Sequence, residues 1–271
     1  MIKLIAIDLD GTLLTKNLEI SKENLAAIKQ ARERGVHVVI ATGRPMLFTK
    51  PYMKVLNLDT PYIMYNGGQI MNADQSTIES NFLTEDQVLE TVSLLEQHNT
   101  AYMLYTDNTV FYKPCKRIEF LKEMAQHVEE SLRAKFELVT DFKKVIKENK
   151  FNKVLIVEEN KEQYPIVYER FMKLSGTYDI LMSSSFYIEV IPKGTSKGTA
   201  LEKVGKLLNV KQSEIMAIGD QENDVSMIKY AGIGVAMGNA IDEVKKQADY
   251  VTLTVKENGV AHAIKRFVLE T

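Results

Sequence analysis

The sequence lacks most of the features that announce a particular class of protein. It carries one cysteine, Cys115, so no intrachain disulfide can form, and the chain fits a reducing compartment such as the cytoplasm. No apolar run approaches the roughly 18 residues of a membrane span. The first apolar stretch is short and interrupted by Asp8 and Asp10, which argues against a signal peptide. Formal net charge is −2, so no basic excess points to nucleic acid. His37, His98, His127 and His262 are scattered without zinc-site spacing and read as ordinary surface or helix residues. No internal repeat or low-complexity tract is present, and no G-x-x-x-x-G-K-S/T phosphate loop occurs. The run Gly232-Ile233-Gly234-Val235-Ala236-Met237-Gly238 imitates a dinucleotide loop, but it has one residue too many before its last glycine and follows a helical pattern.

What is present is a chain of 271 residues, 45% of them hydrophobic. That is ample for a conventional core, in one large or two smaller domains. Its most informative stretch is the N-terminus, Lys3-Leu4-Ile5-Ala6-Ile7-Asp8-Leu9-Asp10-Gly11-Thr12. An apolar strand pattern ends in two carboxylates spaced i, i+2, which extended chain would point to the same side. Such a pair can repel, bind a divalent cation, or divide the work of nucleophile and acid. A calcium loop is excluded by register. With Gly11 as its sixth residue, the first ligand would be Ala6 and the last Asn17.

The first third of the chain alternates strand and helix. Ser21 reads as an N-cap, Lys22 to Arg34 carries apolar residues at helical spacing, and Gly35 closes the segment. Val36 to Ala41 and Pro61 to Tyr65 are short apolar runs with the profile of buried parallel strands. The last third repeats this style, with helices over Lys197 to Leu208, Gln221 to Tyr230 and Ala240 to Gln247. Strands are expected over Glu214 to Ile218, Gly234 to Ala236 and Tyr250 to Leu253, and a final helix near Val260 to Val268. The alternation implies an α/β, doubly wound, mostly parallel sheet. The middle differs. Thr84 to Gln87 is a capping box, Ala101 to Tyr112 alternates like a hairpin, and Phe186 to Ile191 is a further strand. The expected division is a discontinuous core of residues 1–83 and 188–271, with an inserted α+β domain over residues 84–187.

In open α/β sheets, ligands bind beyond the carboxyl ends of the strands. Four candidate segments fall at such ends or beside them: Asp8 and Asp10; Thr42-Gly43-Arg44; Lys197, which opens a helix; and Gly219-Asp220-Gln221-Glu222-Asn223-Asp224. Together they suit phosphoryl chemistry. Asp8 and Asp220, with the backbone carbonyl of Asp10, would supply oxygen ligands to Mg²⁺. A phosphate monoester repels a carboxylate nucleophile, and the metal with Lys197 would offset that repulsion. Thr42 would offer a hydroxyl and Gly43 a backbone N–H.

These segments resemble the four motifs of the haloacid dehalogenase superfamily: Asp8-Leu9-Asp10-Gly11-Thr12, Thr42, Lys197, and Gly219 to Asp224. The large insert, Ala41 to Pro45, Asn66-Gly67-Gly68 and Ser196-Lys197-Gly198 are similar to the Cof-like sugar-phosphatase branch, with its C2-type cap. The resemblance implies a phosphatase of small phosphorylated metabolites, such as sugar phosphates or pyridoxal or flavin phosphates. It implies that Asp8 forms an aspartyl-phosphate and that Asp10 protonates the leaving alcohol and later deprotonates water. Asp220 would hold Mg²⁺ with Asp8 and Asp10, and Asp224 would support the metal and its waters. Thr42, Gly43, Lys197, Asn223 and the Leu9 backbone N–H would cradle the phosphoryl group, with Arg44 either joining them or bracing the loop. A cap of this kind would close over the site on hinges near residues 82–86 and 184–190, with Lys113, Arg117, Ser184 and Glu189 among the polar residues that could line it. The alternatives are a phosphosugar mutase or other phosphotransferase, and a catalytically idle binding protein of the same fold. A small-molecule monoester is the expected partner, with no nucleic acid or membrane, and monomer and homodimer both remain open.

Overall fold

A computed structural model describes every residue except 127, 131, 132, 174, 175, 185 and 271, and the side chains of all the rest but 124 and 182–184. His127 and the Ser184 side chain thus lie outside the described residues. Contacts divide the chain into two compact units. One comprises Met1–Gly43, Leu56–Glu79 and Ser196–Thr271; the other comprises Arg44–Val55 and Ser80–Thr195.

The first unit is built on a five-stranded sheet in the order Tyr250–Val251, Ile233–Ala236, Ile215–Gly219, Leu4–Ile7, His37–Ile40. Every neighbouring pair is parallel. The two central strands are buried along their whole length, which is why they read as unbroken apolar runs. Leu4, Ala6, Ile215 and Ala217 pack against Ala200, Leu201 and Val204 of the helix Lys197–Leu207. Ile5 and Ile7 alternate to the opposite face, where they are equally buried. The helix Lys22–Glu33 is capped by Ser21, whose hydroxyl accepts the Asn24 N–H. It lies against the helix Gly259–Ile264, and the buried Asn24 side chain accepts the Ala261 N–H at 2.9 Å. The doubly wound α/β class expected from the alternating pattern is the one observed.

A bridge between Ala41 and Ile63 sets Tyr62–Met64 beside this sheet. That strand opens a three-stranded sheet completed by Gln69–Met71 and Thr77–Ser80. These last two strands carry no sequence signal, because three or four residues are too few to display a period. The helix Met46–Leu56 is equally hidden in the sequence, since Pro51 lies inside it and reads as a breaker. The segment expected as one helix from Gln221 begins as a 3₁₀ turn over Glu222–Asp224 and becomes α-helical only over Val225–Tyr230.

The second unit holds a six-stranded sheet in the order Tyr178–Ser184, Tyr187–Pro192, Lys153–Val157, Ala101–Tyr105, Thr109–Tyr112, Lys135–Leu138. All pairs are antiparallel except the last. One face of it, with Tyr102, Leu104, Val154, Ile156, Ile188 and Val190, forms a core with Val88, Val92 and Leu95 of the helix Glu85–Gln97. Thr84 and Gln87 close the capping box at the start of that helix. The boundaries of the insert differ from those expected at 83/84 and 187/188. Tyr187–Pro192 pairs with Lys153–Val157 and Tyr178–Ser184, so it belongs to the inserted sheet. The Asn152 amide donates to Ser80 Oγ and the Asn81 carbonyl, drawing those residues in as well. The helix around Pro51 also groups with this unit, and Lys54 there pairs with Glu129 at 2.6 Å. Among the described residues, no helix is long and apolar enough to cross a membrane.

Asn24→Ala leaves the Ala261 N–H buried without its acceptor. It is expected to destabilise the protein by about 1–3 kcal/mol in urea unfolding; parent-like stability would mean that this bond does not hold the two helices together.

Candidate active site

The site is assembled by strand register. Ile7 lies opposite Ile218, so the chain following each strand emerges at the same sheet edge. The Asp8 N–H donates to the Ile218 carbonyl at 3.0 Å, continuing the ladder by one residue. The chain then turns sharply, with the Leu9 carbonyl accepting the N–H groups of Leu13 and Leu14 at 3.0 and 2.8 Å. Gly11 makes the turn possible with a φ of +85°. A Cβ at that position would lie 2.4 Å from Asp220 Oδ2, so the glycine also makes room for the second acid.

Asp220 is fixed by several neighbours. Thr12 Oγ1 donates to its Oδ1 at 2.9 Å, and Gln221 Nε2 donates to its Oδ2 at 3.1 Å. Asn239 Nδ2 lies 3.5 Å from that same Oδ2 and donates to the Gly11 carbonyl at 2.9 Å. Asp224 turns back onto its own loop, where Oδ2 accepts the N–H groups of Asp220 and Gln221 at 2.8 and 2.9 Å. Its Oδ1 accepts from Lys197 Nζ at 2.6 Å, and the same ammonium donates to Asp8 Oδ1 at 2.6 Å. Lys197 is fully buried, in the first turn of a helix capped by Ser196.

Three buried carboxylates therefore meet one buried ammonium, and Asp8, Asp220 and Asp224 each offer an oxygen within 4.8 Å of the others. The charges do not balance, and the proton affinities record this. Burial pushes the Asp8 carboxyl well up; Lys197 opposes the shift, while Asp224, Asp220 and Asp10 add to it. Burial, reinforced by Asp224, raises Asp220 to about 6. Burial alone would lower Lys197, but Asp224 and Asp8 outweigh it and raise the ammonium's pKa. The donor set is oxygen only, which fits a hard divalent cation, and two added positive charges would relieve the excess negative charge. Asp8 and Asp220 are the acids suited to hold it directly, because Asp224 is committed to Lys197 and to two backbone N–H groups.

The remaining candidates separate into two groups. The Thr42 N–H donates to the Ile63 carbonyl at 2.9 Å, and its own carbonyl accepts the Asn66 N–H at 3.0 Å. Asn223 Nδ2 donates to Asn66 Oδ1 at 2.8 Å, and Gly43 approaches the same Asn66 side chain. Thr42, Gly43, Asn223, Lys197 and the acids all belong to the first unit, where Asp10 is exposed and Leu9 is buried. Arg44 groups with the second unit, where its guanidinium donates to the Phe48 carbonyl at 3.4 Å and lies over the Tyr52 ring. In the second unit, Lys113 pairs with Glu96, Glu189 pairs with Lys153, and Arg117 lies over the Tyr187 ring. Reasoning from the sequence names Thr12 and Asn66 only as motif residues, without the contacts they make with Asp220 and Asn223, and does not name Asn239. Asn239 directly follows the glycine-rich run that imitates a dinucleotide loop, and the signal for it is an asparagine shortly after a strand.

The profile of the haloacid dehalogenase-like hydrolases matches residues 5–264. The 5-amino-6-(5-phospho-D-ribitylamino)uracil phosphatase YcsE of Bacillus subtilis (strain 168) is 38% identical over 99% of this chain and 96% of its own length. A crystal structure of a haloacid dehalogenase-like hydrolase from Bacteroides thetaiotaomicron superposes with a TM-score of 0.85 at 33% identity, covering 98% of this chain and 99% of that one. A haloacid dehalogenase-like hydrolase from B. subtilis gives a TM-score of 0.86 at 30% identity, covering 98% and 100%. The chain belongs to the haloacid dehalogenase-like hydrolase family. Within it, the protein is an enzyme of the phosphatase type.

Lys197→Met would leave Asp8 and Asp224 buried without their countercharge. A loss of about 3–5 kcal/mol is expected at pH 7. Buried Asp8, already pushed up and now without the ammonium that opposes the shift, would bind a proton that the unfolded chain releases, so the deficit should shrink as pH falls from 7 toward 5. Thermal melts across that range check both points, and a pH-independent loss would contradict the pairing.

Proposed function

We propose that the chain is a Mg²⁺-dependent phosphatase of small phosphorylated metabolites, acting through an aspartyl-phosphate on Asp8. The observation that carries this reading is the meeting of Asp8, Asp220 and Asp224 with a single buried lysine at the ends of adjacent parallel strands. Asp8 is the nucleophile. Its carboxylate attacks phosphorus, the P–O bond to the leaving alcohol breaks, and Asp10 donates the proton that this alkoxide needs. Asp10 then takes a proton from water, the water attacks the aspartyl-phosphate, and inorganic phosphate leaves with Asp8 restored. Asp10 suits both roles because it is exposed, while the nucleophile is buried.

The phosphoryl oxygens are held by the Thr42 hydroxyl, the N–H groups of Gly43 and Leu9, the Asn223 amide and Lys197. Lys197 also holds the attacking carboxylate in place through its 2.6 Å bond to Asp8. Asp8, Asp220 and the Asp10 carbonyl would hold Mg²⁺, which when bound supplies charge neutralisation for the anionic substrate. Asp224 supports them through Lys197 and the Asp220 backbone. The second unit would act as the cap that selects the leaving group. The substrate class we propose is the phosphate monoester of a sugar or a sugar-like alcohol. The substrate named for the Bacillus subtilis relative, a phospho-ribitylamino uracil, belongs at the head of a test panel.

Phosphate release from such a panel should require Mg²⁺ and vanish in EDTA. Asp8→Asn should lower turnover at least about a thousandfold. Asp10→Asn should turn over slowly and accumulate acid-stable label on Asp8; finding no labelled enzyme would refute the division of roles. Because burial and Asp224 push the Asp220 carboxyl up to about 6, Mg²⁺ should have to displace a proton below that pH. The Mg²⁺-induced rise in melting temperature should be full at pH 7.5 and shrink toward pH 5, and the opposite trend would remove Asp220 from the metal site.

A further inference from the structure

One turn in the first unit touches several of the segments proposed to hold the phosphoryl group, yet it supplies none of the groups assigned above. Tyr65, Asn66 and Gly67 have φ values of +51°, +56° and +98°. Two successive non-glycine residues in the left-handed region cost about 1–3 kcal/mol each, and such strain persists where surrounding structure requires it. Asn66 is 2% exposed, and its contacts show what is gained. Its N–H donates to the Thr42 carbonyl at 3.0 Å. Its Oδ1 accepts from Asn223 Nδ2 at 2.8 Å, across a sequence separation of 157 residues. A Cβ on Gly43 would lie 2.8 Å from that same oxygen, so the absence of a side chain at residue 43 is what lets the amide reach its place. The next residue, Gly67, packs on the Ser196 carbonyl, the cap of the helix that begins with Lys197.

We infer that Asn66 is a positioning residue of the phosphoryl pocket: held in a strained left-handed turn, its amide aligns Asn223 and sets the Thr42-Gly43 strand end against it. The inference rests on the phosphatase reading above, because Asn66 acts through groups assigned there to the phosphoryl oxygens. Asparagine meets both demands of the position. It tolerates left-handed backbone better than other side chains, and its short amide can accept from Asn223. A residue needed only for the turn would be replaceable by glycine, which adopts positive φ at no steric cost.

That difference defines the experiment. Asn66→Gly keeps the turn and removes the amide. It should melt close to the parent, while KM for p-nitrophenyl phosphate with Mg²⁺ and Ki for inorganic phosphate both rise about tenfold, the loss of one hydrogen bond to a group that meets an anion. Combined with Asn223→Ala, it should cost little beyond Asn223→Ala alone, since one residue acts through the other. Asn66→Asp keeps both the turn and the acceptor but adds a negative charge near the pocket, so its Ki should also rise without a drop in melting temperature. Parent-like KM and Ki in Asn66→Gly, or fully additive losses in the double variant, would overturn the inference while the phosphatase reading stood. A parent protein that neither hydrolyses a monoester nor binds phosphate would overturn both.

Discussion

The architecture of the site depends on one buried ammonium. Lys197 Nζ sits 2.6 Å from Asp8 Oδ1 and 2.6 Å from Asp224 Oδ1, with no exposure to solvent. Each of the three groups would be costly to bury alone, and a buried charge persists only when it is paired and hydrogen-bonded. The lysine comes from the helix Lys197–Leu207, Asp8 from the end of the Leu4–Ile7 strand, and Asp224 from the turn after Ile215–Gly219. The ion pairs therefore tie a helix to two strand ends, and they can form only if the parallel register is right. A one-residue slip between the two strands would turn Asp8 away. The electrostatics of the centre and the order of the sheet enforce one another.

The pairing is incomplete. Asp220 lies within the same cluster, and burial raises both it and Asp8 above the ordinary carboxylate range. A site that was only structural would have little reason to concentrate acids beyond the capacity of its lysine. The surplus of negative charge is what a hard cation would relieve, and the strained turn at Tyr65 to Gly67 is a second place where local stability has been given up. Both costs fall at one sheet edge, the place where an open α/β fold binds its ligand.

Much of the site is legible in the order of residues alone. Asp8, Asp10, Asp220, Asp224 and Lys197 stand out only in combination, because each alone could be an ordinary surface or capping residue, whereas the apolar runs locate strand ends beside which all of them fall. The legible parts of the fold are those with a clear period: the buried parallel strands, the capped helix Lys22–Glu33, and the capping box at Thr84. What stays hidden lacks a period or violates a local rule. The strands Gln69–Met71 and Thr77–Ser80 are too short, and the helix Met46–Leu56 carries a proline. The edges of the insert differ from expectation because nothing local shows that Tyr187–Pro192 pairs with Lys153–Val157. Arg44 directly follows the Thr42-Gly43 segment, and its position in the chain does not distinguish a phosphate ligand from a brace. Its guanidinium meets the Phe48 carbonyl and the Tyr52 ring, contacts that no local pattern in the sequence shows.

By itself the sequence determined the chemistry available to this protein: two acids behind one strand, a third and fourth behind another, a lysine opening a helix, and glycines where the chain must turn. Those assignments depend on local patterns, and local patterns survive in one dimension. Tertiary structure alone decided which of these groups share a charge and which hold each other in place. Lys197 and Asp8 lie 189 residues apart, and Asn66 and Asn223 lie 157 apart. Separations of that size leave no mark on the chain between them. They are closed only when parallel strands far apart in sequence come to lie side by side.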